Sequence, residues 1–220
     1  MEAHFGHRSR AITAPNGVRL DPARRYEPYS RGDRPPVVAY AGHFYPYNGA
    51  HLLLEALALL PGVRGLIIGG HPKDAADGER LRALAAALGL TERVTFTGLV
   101  PPNEVLPRLR DADVLVQPLI DAPYTRYASA MKLFDYMASG RPIVAFDLAS
   151  TREVVSDGRS ARLVEPGSVE ALAAGIRDVL DDPALADRLA RAAFDEVTNY
   201  NWARRAERIE ALLTEVVEPS

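Results

Sequence analysis

One segment in the second half of the chain brings a lysine and an aspartate to the start of a helical pattern. Ser129 can serve as the N-cap of that helix, and Lys132 and Asp135 are three residues apart on one face near its beginning. Free backbone amides at a helix start, together with an ammonium group, suit a diphosphate. A carboxylate one turn further along suits the hydroxyls of a sugar. The alternative interpretation is an ion pair on a solvated helix surface, which would contribute little.

The rarity of lysine gives Lys132 additional weight. Of the 26 cationic residues of the chain, 24 are arginine and only Lys73 and Lys132 are lysine. The ammonium of lysine is a compact point charge, whereas the guanidinium of arginine is a planar fork. A lysine at this helix start therefore favours a site that needs a point charge.

Glycine-containing turns follow three of the apolar runs. The first, residues 42–49, begins with Gly42-His43 and contains Asn48; the others are Gly69-Gly70-His71 and Gly98-Leu99-Val100. A glycine loop between a strand and a helix lets backbone N–H groups face an anion. Taken alone, the first loop is as readily explained by a turn that only glycine can make. The three loops become informative only if the fold brings them to the segment that contains Lys132.

The pattern of apolar residues predicts such a fold. Six short apolar runs occur, most of them apolar on both faces as in strands of a covered parallel sheet, and helical spacings separate them. We therefore expect an α/β fold with a doubly wound parallel sheet, followed by a helical tail broken near residues 199–201. Ligands of such sheets bind beyond the carboxyl ends of the strands. Residues 150–153, Ser-Thr-Arg-Glu, predict a capping box at the start of a short helix. The predicted strands are residues 37–41, 65–68, 94–97, 114–116, 142–146 and 161–164.

Composition excludes several classes of function. The 220 residues are 47% hydrophobic and 25% charged, with a net charge of −3, so we expect a globular chain with no nucleic acid partner. No apolar stretch is long enough for a transmembrane segment, and the first residues do not resemble a signal peptide. The absence of cysteine fits a cytoplasmic protein. The five histidines are scattered without metal-ligand spacing, so no metal site is predicted. Neither a Gly-x-Ser-x-Gly nor a Gly-x-Gly-x-x-Gly motif occurs.

Residues 129–145 resemble a known signature. They read Ser-Ala-Met-Lys-Leu-Phe-Asp-Tyr-Met-Ala-Ser-Gly-Arg-Pro-Ile-Val-Ala, which is similar to Ser-Pro-x-Lys-Leu-Phe-Glu-Tyr-Met-Ala-x-Gly-x-Pro-Ile-Val-Ala. That signature belongs to the nucleotide-sugar-binding, C-terminal domain of retaining GT-B glycosyltransferases of the group 1, family-four class. Segments in the same order from about residue 12 to about residue 213 agree with it: Pro15-Asn16-Gly17-Val18, the three glycine turns, Arg152-Glu153-Val154-Val155 and Asn201-Trp202.

The resemblance implies a role for each matching residue. Asp135 matches the second glutamate of the Glu-x7-Glu motif, which holds the ribose hydroxyls of the donor. Lys132 and His43 are the candidates for catalysis by stabilising the diphosphate leaving group, His43 standing where many members have a phosphate-binding arginine. Asn48 stands where the family has a phosphate-binding lysine. The other expected contacts to the nucleotide sugar come from Gly42, Gly70, Leu99, Val100, Ser129, Met131 and Leu133, the last two through backbone amides.

Three residues depart from the family pattern. Asp135 is one methylene shorter than glutamate, Tyr127 occupies the first glutamate position, and Asn48 removes a charge. Such enzymes also need two Rossmann-like domains, and this chain matches the second. We expect residues 1–35 to form an arm or interdomain linker and residues 36–220 to form the nucleotide-sugar-binding domain.

The expected function is metal-independent retaining transfer of a sugar from a UDP- or GDP-linked donor to an unidentified acceptor. No cofactor is expected, and a partner chain or a missing N-terminal half would supply the acceptor side. The protein would work in the cytoplasm or at the inner face of the membrane. Three alternatives remain open: a degenerate nucleotide-sugar-binding subunit, a GT-B nucleotide-sugar epimerase, and a purely structural doubly wound domain.

Overall fold

The computed structural model describes residues 12, 14–28, 32–127, 129 and 131–217. The side chains of Tyr127 and of residues 215–217 are outside that description. The beginning of the predicted arm, with His4 and His7, lies outside the described residues, and so does Ala130 in the signature segment.

Six parallel strands form a single sheet, and every predicted strand is confirmed. The spatial order is β3-β2-β1-β4-β5-β6. The chain adds β2 and β3 on one side of β1 and then crosses to add β4, β5 and β6 on the other side, so the topological switch point lies between β1 and β4. All strands run parallel because a helix or loop crossover separates each from the next. The strands are β1 (Val37–Gly42), β2 (Arg64–Gly69), β3 (Val94–Gly98), β4 (Val114–Gln117), β5 (Ile143–Phe146) and β6 (Arg162–Val164).

Helices cover both faces of the sheet, which explains why the strands are apolar on both sides. On one face, buried leucines and isoleucines of α1, α2 and α6 pack against the sheet. On the other face, α3, α4 and α7 contribute the buried side chains. The helices are α1 (Ala50–Ala58), α2 (Ala75–Ala87), α3 (Pro102–Arg110), α4 (Met131–Ser139), α5 (Ala149–Arg152), α6 (Val169–Asp181), α7 (Pro183–Glu196) and α8 (Trp202–Val217).

The predicted helical tail is confirmed. Helices α7 and α8 are separated by a 3-10 turn, Val197–Asn199, close to the predicted break. Within the described ranges, no helix combines the length and the apolar character that crossing a bilayer requires.

Two predicted helix caps are wrong. Helix α5 begins at Ala149 after Leu148, so Ser150 lies inside it, buried, and its hydroxyl has no hydrogen-bond partner among the described residues. A four-residue helix ending at Arg152 leaves Glu153 beyond the helix and unable to complete a capping box. Helix α4 begins at Met131, so Ser129 lies one residue too early to be its N-cap.

The N-terminal arm lies against α7 where it is described. The guanidinium of Arg24 donates to the carbonyl of Phe194 at 2.9 Å and lies 4.0 Å from the centroid of its ring. The hydroxyl of Tyr26 donates to a carboxylate oxygen of Asp187 at 2.8 Å. Further back, Val18 donates to the carbonyl of Tyr200 at 2.8 Å, next to the start of α8. The arm and the helical tail therefore pack as one layer on the outside of the sheet.

The first glycine turn is held close to the end of β4. Gly49 precedes α1 with a φ of 75°, and a Cβ atom placed on it would lie 1.8 Å from the carbonyl oxygen of Pro118. Nearby, the backbone N–H of Ile120 donates to the carbonyl of Tyr47 at 3.0 Å. The loops after β1 and β4 thus touch through backbone atoms, and this contact fixes the distance between the two loops at the switch point.

We predict that Gly49→Ala destabilises the protein far more than Gly89→Ala. Gly89 has a similar φ of 69°, but a Cβ atom placed on it would have no neighbouring atom within 4 Å. The Gly89 change should cost about 1–2 kcal/mol, the penalty for an L-residue in the left-handed region. The Gly49 change adds a backbone collision and should cost about 3 kcal/mol or more. Urea unfolding of both variants measures the difference, and equal losses would show that the loops do not touch.

Candidate functional site

A cavity of about 280 Å³ opens at the carboxyl ends of β1, β2 and β3, where the topology of the sheet predicts a ligand. Its walls include eight of the predicted site residues: Gly42, His43, Gly70, Leu99, Val100, Met131, Lys132 and Asp135. The remaining wall residues are Ala41, Ile68, Gly69, His71, Val105 and Tyr136. A larger cavity of about 360 Å³ lies at the opposite, amino ends of the strands beside Asp113 and Pro142, away from the glycine turns. Its position makes it the weaker candidate.

Lys132 lies across the end of β1 because Gly42 has no side chain. A Cβ atom on Gly42 would come within 2.4 Å of Cε of Lys132. The ammonium lies 4.9 Å from the centroid of the Tyr40 ring and donates to Oδ1 of Asn48 at 2.9 Å. Among the described residues, no carboxylate lies within ion-pair distance of it. Burial without a counter-charge lowers the pKa of Lys132 to about 8.

Asn48 orients Lys132 and is not itself placed on the cavity wall. Its amide nitrogen donates to the carbonyl of His43 at 3.1 Å, which turns its oxygen toward the ammonium. Asn48, predicted to contact the ligand, thus contacts Lys132 and is not among the residues that line the cavity.

Asp135 lies one turn along α4 from Lys132, on the same wall of the cavity. Its side chain is exposed to the cavity, yet the surrounding protein still desolvates the carboxylate and raises its pKa. No ion pair involving Asp135 occurs among the described residues. The cavity thus presents an ammonium and a carboxylate, each without an oppositely charged protein partner in the described part of the chain.

The start of α4 differs in part from the predicted amide cluster. The backbone N–H of Met131 donates to the carbonyl of Ser129 at 2.8 Å, so this amide is already used. Ser129 is exposed and does not line the cavity, and the side chain of Leu133 is fully buried in the core. Only the backbone of Leu133 can face a ligand.

Two apolar side chains form the rim of the cavity. Leu99, after β3, is 65% exposed, and Met131, at the start of α4, is 52% exposed. Large exposed apolar side chains next to a cavity are typical of a surface that a flat ligand group covers. Val100 lies between them and the interior and is half-buried.

Asp74 is a site residue that sequence reasoning missed. It is buried, and its carboxylate accepts the backbone N–H of Phe44 at 2.8 Å and that of His71 at 2.6 Å. The same carboxylate meets Nδ1 of His43 at 3.0 Å. Desolvation alone would raise its pKa, but these hydrogen bonds outweigh desolvation and the pKa is lowered. Asp74 therefore joins the loops that follow β1 and β2 as a buried anion.

Tyr136 is a second site residue that sequence reasoning missed. Strands β1 and β4 pair only at Val38 and Ala39 and then separate. The buried hydroxyl of Tyr136 occupies the gap, accepts the backbone N–H of Ala41 at 2.8 Å and lies 3.3 Å from the carbonyl of Val116. This contact fixes α4 over the switch point. Tyr136 could have been found from the sequence, because it follows Asp135 directly within the signature segment Lys-Leu-Phe-Asp-Tyr-Met.

A row of aromatic rings continues from the cavity along the carboxyl edge. The ring of His43 lies 5.6 Å from that of His71 and is stacked on Tyr45 at 5.3 Å. Tyr45 is stacked on Tyr47 at 5.5 Å, and Tyr47 meets Tyr124 edge-on at 5.3 Å. The row stiffens the first glycine loop, because each ring limits the rotation of its neighbours.

The chain resembles proteins of known activity over most of its length. It is 33% identical over 211 residues to the phosphatidyl-myo-inositol mannosyltransferase of Mycobacterium leprae, covering 91% of this chain and 52% of that protein. It is 31% identical over 203 residues to a GDP-mannose-dependent alpha-(1-6)-phosphatidylinositol monomannoside mannosyltransferase of Mycolicibacterium smegmatis, covering 87% of this chain and 51% of that protein. The chain therefore spans about half the length of these curated relatives.

The fold agrees with a solved structure of the same kind. The sucrose-phosphate synthase of Thermosynechococcus elongatus superposes with a TM-score of 0.75 at 29% identity, over 86% of this chain and 47% of that one. The family described as "Glycosyl transferases group 1" matches residues 35–182, which include all the strands and the whole cavity. This chain belongs to the group 1 glycosyltransferases.

Proposed function

We propose that the cavity binds a nucleoside diphosphate sugar and that the chain is the donor-binding half of a retaining glycosyltransferase. The observation that carries the proposal is that Lys132 and Asp135 line the same cavity as Gly42 and Gly70. A diphosphate needs cations and N–H donors, and a ribose needs a hydroxyl acceptor. Neither charged group is neutralised by a protein partner in the described residues, so both are available to a ligand.

Lys132 is proposed to hold the diphosphate. A charge-assisted hydrogen bond of this kind contributes about 1.5–3 kcal/mol, and more where water is displaced. When the bond between the sugar and the diphosphate breaks, negative charge grows on the departing phosphate oxygen. An ammonium already fixed by Asn48 stabilises that charge without reorganisation. This is the catalytic role proposed for Lys132, with His43 lining the same cavity; it invokes no metal ion.

Asp135 is proposed to accept hydrogen bonds from the ribose hydroxyls. Its shorter side chain, compared with glutamate, requires the ribose to lie nearer to α4. The rim formed by Leu99 and Met131 is proposed to cover the base, with Val100 beside it. The donor is proposed to be UDP- or GDP-linked; the GDP-mannose-dependent relative supports the second choice.

The acceptor side is proposed to come from outside this chain. The chain spans about half the length of its relatives, which supports a missing half or a partner chain that faces the cavity. The division into an arm of residues 1–35 and a binding domain of residues 36–220 is part of this proposal. We place the protein in the cytoplasm or at the inner face of the membrane, on the ground that it has no cysteine. The isolated chain should bind donor without transferring sugar.

Donor binding and the role of Asp135 are tested together. We expect the chain to bind UDP-glucose or GDP-mannose in isothermal titration calorimetry. Asp135→Asn should weaken that binding about 10–100-fold, because a charged acceptor becomes a neutral one. Asp181→Asn, at the end of α6 and away from the cavity, is the matched control and should bind normally. Failure of a folded chain to bind either donor would refute the proposed function.

The pH dependence of binding tests Lys132. Its pKa is lowered to about 8, so the free protein loses the ammonium as the pH rises through that value. Affinity for the donor should fall above pH 8, by up to about tenfold per pH unit. Lys132→Arg keeps its charge at every pH used, so its affinity should fall less steeply over the same range. Both phosphates of a nucleotide sugar are esterified and do not titrate there. Parallel pH profiles for the two proteins would contradict this role.

A further inference from the structure

The two histidines of the cavity wall have opposite surroundings at Nδ1. Nδ1 of His43 faces a carboxylate oxygen of Asp74 at 3.0 Å. Nδ1 of His71 faces a backbone N–H, that of Lys73, at 3.1 Å. A ring nitrogen next to a carboxylate must carry a proton, whereas a ring nitrogen next to an N–H must not. The two rings therefore have their protons on different nitrogens.

For His43 this arrangement leaves Nε2 available to a ligand. Because Nδ1–H donates to Asp74, neutral His43 presents the lone pair of Nε2. No described residue forms a hydrogen bond with that nitrogen. Protonation of Nε2 produces an imidazolium whose other N–H stays on Asp74, a buried carboxylate that stabilises the charge.

For His71 the arrangement places an N–H donor at Nδ1. Its Nδ1 accepts the N–H of Lys73 in a capping box in which Asp74 accepts the N–H of His71. A proton on Nδ1 would remove the acceptor from Lys73 and break the box. Neutral His71 therefore carries its proton on Nε2 and offers Nε2–H as a donor.

The charged and titratable groups around His43 come from three elements. Asp74 and His71 come from the loop after β2, and Tyr45, which is stacked on the His43 ring, comes from the loop of His43 itself after β1. Lys132 and Asp135 of α4 line the same cavity. With no ligand bound, the ammonium of Lys132 on the facing helix opposes a second positive charge in the cavity. A bound diphosphate reverses that balance, because two anionic phosphates would then lie between the helix and the histidine.

We propose that Asp74 is a positioning residue that makes His43 a proton-dependent ligand for the diphosphate, so that binding a nucleotide sugar brings one proton from solvent to Nε2. The inference rests on the proposed function of the cavity. The step breaks no covalent bond in the ligand: water or buffer supplies the proton, and the diphosphate receives a hydrogen bond from the new Nε2–H. His43 thereby supplies the second cation that Asn48 does not.

Calorimetry in buffers of different ionisation enthalpy measures this proton directly. Titrations of the full chain with UDP-glucose and with GDP-mannose near pH 7 should show net proton uptake on binding, of at most one proton per bound donor. At that pH Lys132, with a pKa of about 8, is already largely protonated and contributes little. The esterified phosphates of the donor contribute nothing.

Four variants assign the proton. His43→Gln should abolish uptake, and His71→Gln should leave uptake in place even if affinity changes. Asp74→Asn should reduce uptake, because the carboxylate that stabilises the imidazolium is gone. Asp77→Asn, the same change on α2 at a carboxylate paired with Arg80, is the control and should take up protons as the unmodified chain does. Should Asp74→Asn unfold below the assay temperature, the two histidine variants decide the result.

The outcomes separate the two proposals. Donor binding without proton uptake, or uptake that persists in His43→Gln, overturns the role of His43 and leaves the proposed function standing. Loss of proton uptake in His71→Gln would assign the proton to His71 in place of His43 and would also overturn the inference. Absence of binding of both donors by the folded chain overturns the proposed function and the inference together.

Discussion

The separation of β1 from β4 is the constraint on which the rest of the site depends. The two strands pair over only two positions, and beyond them Tyr136 bonds to the backbone of both. That hydroxyl is buried and satisfied, so it holds α4 at one height and one rotation over the sheet edge. Lys132 and Asp135 then fall on the cavity side of the helix, and Gly42 leaves room for the lysine stem.

The charges of the site follow from this placement. Fixing α4 close to the sheet removes Lys132 from water without giving it a carboxylate partner in the described residues, which lowers its pKa. Next to the cavity wall, the buried charge of Asp74 is satisfied by backbone amides and by His43. The cavity itself is lined by Lys132 and Asp135, each without an oppositely charged protein partner in the described residues. Such an arrangement suits a ligand that carries both an anionic group and hydroxyl donors.

Much of the fold could be predicted from the sequence, but the site only in part. The lengths of the apolar runs predicted all six strands, and the three- and four-residue spacing of apolar residues predicted the broken helical tail. Both patterns are local, because they reflect which side chains of one segment are buried. The capping box at Ser150 failed because tertiary packing placed that serine inside a buried turn. Asp74 was missed because its partners, Phe44 and His43, are about 30 residues away and belong to another loop. No local pattern records such a contact.

The sequence by itself determined the class of the fold, the three glycine turns and the helix that carries Lys132 and Asp135, since strand and helix periods and glycine positions are local properties. Only the tertiary structure decided that Asn48 contacts Lys132 and does not line the cavity, and that Nδ1 of His43 faces a carboxylate whereas Nδ1 of His71 faces a backbone N–H. The physical reason is that hydrogen-bond partners and desolvation depend on which distant segments meet at the sheet edge. Residue type alone leaves both undetermined.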